Sequence, residues 1–359
     1  MIQSISRSSI PSYHSSLRNS TIKMTTDNLE SPDTTVQTLR NVLTSESEPL
    51  ARRFRALFSL KHLACLQPPT EKTLPAIQAI AAGFSSPSAL LKHELAYCLG
   101  QTRNTDALPF LLHVVQDTQE DSMCRHEAAE ALGALGYESS LEVLKALRDN
   151  ENEVDVVRET CDIAVDRILW ERSEARKAEK LKPSDFTSID PAPPMPVTEK
   201  EPSISDLEKT LLDTNLPLFE RYRAMFGLRD LASPPDLPTA KEAVESLAKG
   251  MKDPSALFRH EIAFVFGQLC HPASVPSLTE TLSDPNEVGM VRHEAAEALG
   301  SLGDVEGVED TLKKFLNDPE KVVRDSIIVA LDMAEFEKNG EIEYALIPDS
   351  VNLAAVPAA

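Results

Sequence analysis

Aromatic side chains make up only 5% of the 359 residues, with a single tryptophan. Sheets favour aromatic and β-branched residues, so this composition argues against them, and the Ala- and Leu-rich periodic stretches suit helix-on-helix packing. Cysteine is sparse and unpatterned: five residues, at 65, 98, 124, 161 and 270, with no C-x-x-C among them. That excludes a disulfide framework or zinc knuckle, and a reducing compartment fits best. No run of about 18 apolar residues occurs, so no stretch reads as a membrane-spanning helix. Basic charge is also short. There are 36 lysines and arginines against 57 acids, a net charge of −21. A surface of that sign repels phosphate backbones and attracts cations, so nucleic acid is an unsuitable partner and a basic protein or polyamine-like group a suitable one. Two chemical signatures are missing too, G-x-G-x-x-G for dinucleotides and H-E-x-x-H for zinc proteases.

What the chain has instead is repetition. Met123–Gly133 (MCRHEAAEALG) returns as Met290–Gly300 (MVRHEAAEALG), and looser copies surround His93–Glu94 and His260–Glu261. Within each half the two His-Glu pairs lie 33 residues apart, and both recur after 167 residues. Around them an Arg or Lys marks each unit, at 53, 92, 125 and 158 and again at 221, 259, 292 and 324. Breakers such as Pro68–Pro69, Ser86–Pro87, Asn104–Asp106 and Gly136 separate short periodic segments. Steps of 32–39 residues predict an all-α solenoid of eight HEAT-like helical hairpins in two pseudo-symmetric halves of four.

The expected organisation follows the composition. Residues 1–35 are Ser- and Thr-rich with no acid before Asp27 and read as a disordered extension, a targeting segment being the competing reading. The first half spans 36–172, an acidic, Pro-rich and flexible linker 173–204, the second half 205–338, and an unpatterned tail 339–359.

The His-Glu pairs do not serve the hairpins as such. Only the two inner repeats of each half carry them; the outer repeats have Phe54–Arg55, Glu159–Thr160, Tyr222–Arg223 and Asp325–Ser326 in the same register. With this acid content, eight histidines would be followed by an acid about once by chance; here it happens four times, always with Glu. Neighbours on one helix point about 100° apart, so one pair cannot chelate an ion alone. Pairs on adjacent packed helices, whose axes lie about 8–10 Å apart, can converge. Two imidazoles and a carboxylate with open positions suit non-haem ferrous iron and dioxygen. Glu130 and Glu297, four residues after His126 and His293, share their helix face and read either as acceptors orienting the imidazoles or as ordinary surface acids. Gly100, Gly133, Gly267 and Gly300, each seven residues after a pair histidine, read as helix-ending or close-packing glycines, and Trp170 as packing the end repeat. Tyr97, Met123 and Met290 lie near enough to the pairs to line a pocket.

Four His-Glu motifs on eight HEAT-like repeats in two halves joined by an acidic linker resemble the deoxyhypusine hydroxylase family, over about residues 36–338. The resemblance implies an O2-dependent di-iron monooxygenase, with two Fe(2+) per chain and an external electron donor. Its implied substrate is the deoxyhypusine side chain of the hypusine-bearing eukaryotic translation initiation factor, converted to hypusine. It implies His93, His126, His260 and His293 as iron ligands, with Glu94, Glu127, Glu261 and Glu294 at the motif carboxylate positions. A finer expectation gives Glu127 and Glu294 to the metals and leaves Glu94 and Glu261 for the substrate ammonium. A cytoplasmic, also nuclear, monomer without membrane or nucleic-acid partners completes it. The competing reading is a non-catalytic HEAT scaffold that binds a basic protein; it leaves the four pairs without work.

Overall fold

The structure, a computed structural model, describes residues 34–181, 184–196 and 202–339. The Ser-rich start, His14 and the C-terminal tail from 340 lie outside the described residues. Among those described every regular element is helical, and there are no strands.

The first half consists of four hairpins: α1 (Thr35–Thr44) with α2 (Leu50–Cys65), α3 (Thr73–Ala82) with α4 (Ala89–Gln101), α5 (Leu108–Gln116) with α6 (Ser122–Leu135), and α7 (Leu141–Arg148) with α8 (Asp155–Arg172). After the short α9 (Glu174–Ala178), the second half repeats the plan. Its hairpins are α10 (Ile204–Leu212) with α11 (Leu218–Leu231), α12 (Ala240–Lys249) with α13 (Ala256–Leu269), α14 (Val275–Ser283) with α15 (Gly289–Gly300), and α16 (Val308–Lys313) with α17 (Lys321–Asn339). This is the eight-hairpin all-α solenoid that the repeat spacing predicts.

The second helix of each hairpin stacks on the next, α4 on α6 on α8, and α13 on α15 on α17. These inner helices are buried almost all round: from His93 to Gly100 every residue of α4 is buried. The marker arginines explain the repeat. Arg53, Arg125, Arg221 and Arg292 each donate from Nε to a carbonyl ten residues earlier, at the end of the preceding outer helix. Arg125 also grips Glu153 of the next repeat with two nitrogens, at 2.7 and 2.6 Å. One guanidinium thus satisfies an orphan helix-end carbonyl and ties two hairpins together, which a lysine's point charge cannot do.

The halves close into a ring. α8 packs against α11 and α13, and α17 against α2 and α4. Val329 and Met333 of α17 belong to the apolar core of the first half, Ile163 and Trp170 of α8 to that of the second. Trp170 therefore stacks near Phe219 at the junction between halves rather than only closing an end repeat. The outer-repeat positions in register with the His-Glu pairs work at these two seams. Ser255 donates to Glu159 at 2.6 Å across one, and Ser88 to Asp325 at 3.4 Å across the other. Arg55 reaches Asp332 at 2.9 Å. Both serines also cap the helices that carry the first pair of each half, accepting from Leu91 N and Phe258 N.

The acidic segment expected as a flexible linker is packed where it is described. Glu179 binds Arg223, Asp190 binds Arg229, and Ala192 is fully buried. Its carboxylates meet buried arginines, and that pairing holds a proline-rich chain that composition alone reads as a tether.

Candidate metal and substrate site

The four histidines occupy equivalent places on α4, α6, α13 and α15, and the ring brings all of them together. Ring centroids lie 5.3 Å apart for His93–His126, 5.4 Å for His260–His293, and 5.7 Å across the halves for His93–His260. All eight pair residues are buried.

The close approach within each half comes from glycine. A Cβ on Gly100 would lie 2.8 Å from the Cβ of Ala131, so only glycine lets α4 sit this tightly on α6. Gly100, the penultimate residue of α4, is therefore a close-packing residue in the last turn of its helix. Helices at that spacing put the histidine of one against the glutamate of the next. His93 Nε2 is 3.2 Å from Glu127 Oε2, and His260 Nε2 is 3.4 Å from Glu294 Oε2, the same relation in both copies.

These groups lack proton-sharing partners. Nε2 of His93, both ring nitrogens of His126, His260 and His293, and an oxygen each of Glu261 and Glu294 are buried without a hydrogen bond. Burial and the neighbouring imidazoles hold His93 and His126 well below the usual histidine range, so both rings are neutral. Burial first, then mutual repulsion of carboxylates, pushes Glu127 and Glu261 well above theirs, and burial lifts Glu94 to about 7. Imidazole and carboxyl groups buried this close together are satisfied either by a proton shared between them or by a cation bound among them. Three overlapping donor groups, His93–His126–Glu127, His93–His260–His293 and His293–Glu294–Glu297, have their ligand atoms within 4.8 Å of one another. The donor set fits divalent metal.

The remaining predicted residues divide. Glu297 is buried, stands 3.7 Å from His293 Nδ1 and accepts from Ser326 at 3.4 Å. Its counterpart Glu130 borders Pro191 and Thr160 instead, so the two copies differ here. Tyr97 packs edge-on against Phe264, its equivalent across the axis, at 6.4 Å. Met290 packs against the cores of both halves. His271 is structural, its Nδ1 accepting from Ala273 N. The sequence reading missed Cys98, whose thiol donates to Glu94 at 3.9 Å, and the seam residues Ser88, Ser255, Glu159 and Asp325. For the last two a signal existed: they occupy the pair register of the outer repeats.

Known proteins place this architecture. A family model for HEAT repeats matches residues 75–164 and 227–332. The deoxyhypusine hydroxylase of Emericella nidulans is 96% identical over 336 residues, covering 94% of this chain and all of that protein. The deoxyhypusine hydroxylase of Aspergillus oryzae is 82% identical, covering 93% of this chain and 98% of its own. Among solved structures, human deoxyhypusine hydroxylase in complex with glycerol superposes with a TM-score of 0.73 at 44% identity, covering 84% of this chain and 96% of that one.

Proposed function

The chain belongs to the deoxyhypusine hydroxylase family, and from that premise we propose how its buried residues divide the work. It is an O2-dependent monooxygenase that hydroxylates a deoxyhypusine side chain on a protein substrate to hypusine, and a metalloenzyme. Our reading is that it holds two ferrous ions, one by His93, His126 and Glu127 and the other by His260, His293 and Glu294. The 3.2 and 3.4 Å approaches support the choice of Glu127 and Glu294 over Glu94 and Glu261. Iron, when bound, supplies the oxidising chemistry with O2 that an aliphatic C–H bond requires.

The chain's own residues do the rest. Glu94 and Glu261 are the carboxylates left over, and an ammonium-bearing side chain brings the counter-charge they need in a dry site. Cys98 donates to Glu94 and holds that carboxylate in place. Tyr97 and Phe264, buried one turn after the first pair of each half, pack edge-on and shield the pairs from water. The net charge of −21 steers a basic substrate, which on this reading is the hypusine-bearing translation initiation factor. A cytoplasmic monomer that takes electrons from an external donor completes the proposal.

The observation that carries it is the set of buried, unbonded imidazole nitrogens at the ring centre. A scaffold gains nothing from desolvating them. Plasma mass spectrometry of the purified chain tests it, together with mass analysis of a deoxyhypusine-bearing substrate after aerobic turnover. Two irons per chain and gain of one oxygen atom are expected. A chain that stays metal-free after anaerobic ferrous reconstitution overturns the metal assignment.

A further inference from the structure

Within each half, the spacing of the histidines is built into close helix packing. Across the halves it depends on the seams and on one more device, a strap formed by residues 188–191. At its centre is Arg229, with no exposed surface, on α11. Its guanidinium donates to both carboxylate oxygens of Asp190, at 2.9 and 2.7 Å, and to Gln268 Oε1 at 2.9 Å.

The two residues before Asp190 reach opposite halves. Ile189 N donates to Gln101 Oε1 at 2.9 Å, and Gln268 Nε2 donates to Ser188 Oγ at 2.9 Å. Gln101 and Gln268 are the same residue of the repeat, each eight positions after the first histidine of its half. Consecutive strap residues thus hold equivalent glutamines at the C-terminal ends of α4 and α13, the helices that carry His93 and His260. Pro191 then lies beside Glu130, Gly133 and Thr160, so α6 and α8 are touched as well. The equivalent of Arg229 in the first half is Lys61, which lies over the rings of Phe58 and Tyr97, so the latch is a one-sided addition to a symmetric ring.

We propose that Asp190 is a positioning residue: by latching the strap to Arg229 it ties α4 to α13 and fixes the separation of the two His-Glu sets across the halves. The geometry needed is pairwise. A charge-assisted bidentate bond to a buried arginine is strong and directional, and it anchors a segment whose neighbours grip both sides of the axis. The consequence for two metals rests on the proposed two-metal site; the latch itself does not.

The test uses the full chain without metal, carrying nitroxide labels at Lys145→Cys and Lys241→Cys with Cys65 and Cys270 changed to serine. Pulsed electron resonance then reads the distance between the halves. Asp190→Ala is expected to broaden the distribution at least twofold, Gln101→Ala to broaden it less, and Asp190→Glu to restore it. Because Asp190→Ala leaves the buried Arg229 with only the longer contact to Asp230 and the neutral partners Gln268 and Ser184, Gln101→Ala keeps the test valid if that variant misfolds. Manganese(II) then serves as a probe without the labels. The variants are expected to bind as many ions as the parent, since each set lies within one half, but to lose the spin coupling of a close pair. Widths unchanged in all variants overturn the latch. A parent chain that binds no manganese overturns the metal reading instead, and the labels still decide the latch.

Discussion

His93 Nε2 stands 3.2 Å from Glu127 Oε2 on the next inner helix, with no hydrogen bond between them, and the relation repeats at His260 and Glu294. Groups packed this closely are held either by a proton shared between them or by a cation lying between them. Most of what can be tested about this protein starts there.

On the proposed division, Glu127 and Glu294 hold metal while Glu94 and Glu261 meet the substrate. Glu127→Gln or Glu294→Gln is expected to lose about one of two bound irons per chain. Glu94→Gln and Glu261→Gln are expected to keep both irons and raise the substrate KM by about tenfold or more, the size of one lost charge-assisted contact. Metal analysis beside steady-state kinetics separates these outcomes; iron lost from Glu94→Gln reverses the assignment.

Metal binds the folded state, so its removal lowers thermal stability. At a free iron concentration about 100 times Kd, the linkage contributes about 2.7 kcal/mol. Calorimetry with and without a chelator is expected to show a fall in Tm of several degrees. In the metal-free chain Glu127→Gln is expected to melt higher than the parent, since it removes one of several mutually repelling buried carboxylates.

The metal-free chain has a distinctive pH dependence. Glu94 has a folded pKa of about 7 against an ordinary value of 4.5, so the fold binds its proton more tightly than the unfolded chain. A carboxyl shifted this way destabilises the fold above pH 7, and the penalty disappears as pH falls from 7 towards 4.5. His93 and His126 are shifted down from 6.5, so the unfolded chain takes up their protons first and stability is lost as pH drops below that value. Glu127 and Glu261 are raised in the same way, so denaturant melts of the metal-free chain are expected to gain stability as pH falls from 8 to about 6.5 and to flatten below, where histidine protonation opposes the carboxyl gain. A profile that loses stability from pH 8 to 6.5 contradicts this balance.

Gly100 is required for contact rather than for a turn. In Gly100→Ala the new Cβ meets Ala131 at 2.8 Å, and overpacking of this kind costs about 1–3 kcal/mol. The separation of α4 from α6 is expected to weaken the His93–His126–Glu127 set while leaving the His260–His293–Glu294 set intact. Ferrous titration then reads one weakened and one unchanged site.

The buried marker arginines carry the stacking of repeats. Arg125→Met leaves Glu153 and the Val115 carbonyl without their donor and is expected to cost about 3–5 kcal/mol. Arg158, more exposed and with a 3.3 Å bond to the Arg148 carbonyl, is expected to cost about 1 kcal/mol or less. Chemical denaturation of the two variants compares them directly.

The sequence by itself determined the repeats, the helical class and the four His-Glu pairs, because each is a local pattern copied at a fixed interval. Helix propensity, marker arginines and pair register all repeat along one dimension, and duplication makes them visible twice. Tertiary structure alone decided which glutamate faces which histidine, since Glu127 reaches His93 only after Gly100 has brought α6 against α4. It decided also that Glu159 and Asp325 peg the ring's two seams, and that Asp190 finds Arg229 and turns an acidic tether into a strap. Those contacts join residues far apart in the chain. They exist because eight hairpins curve until the first half meets the second, and nothing in a single repeat encodes that closure.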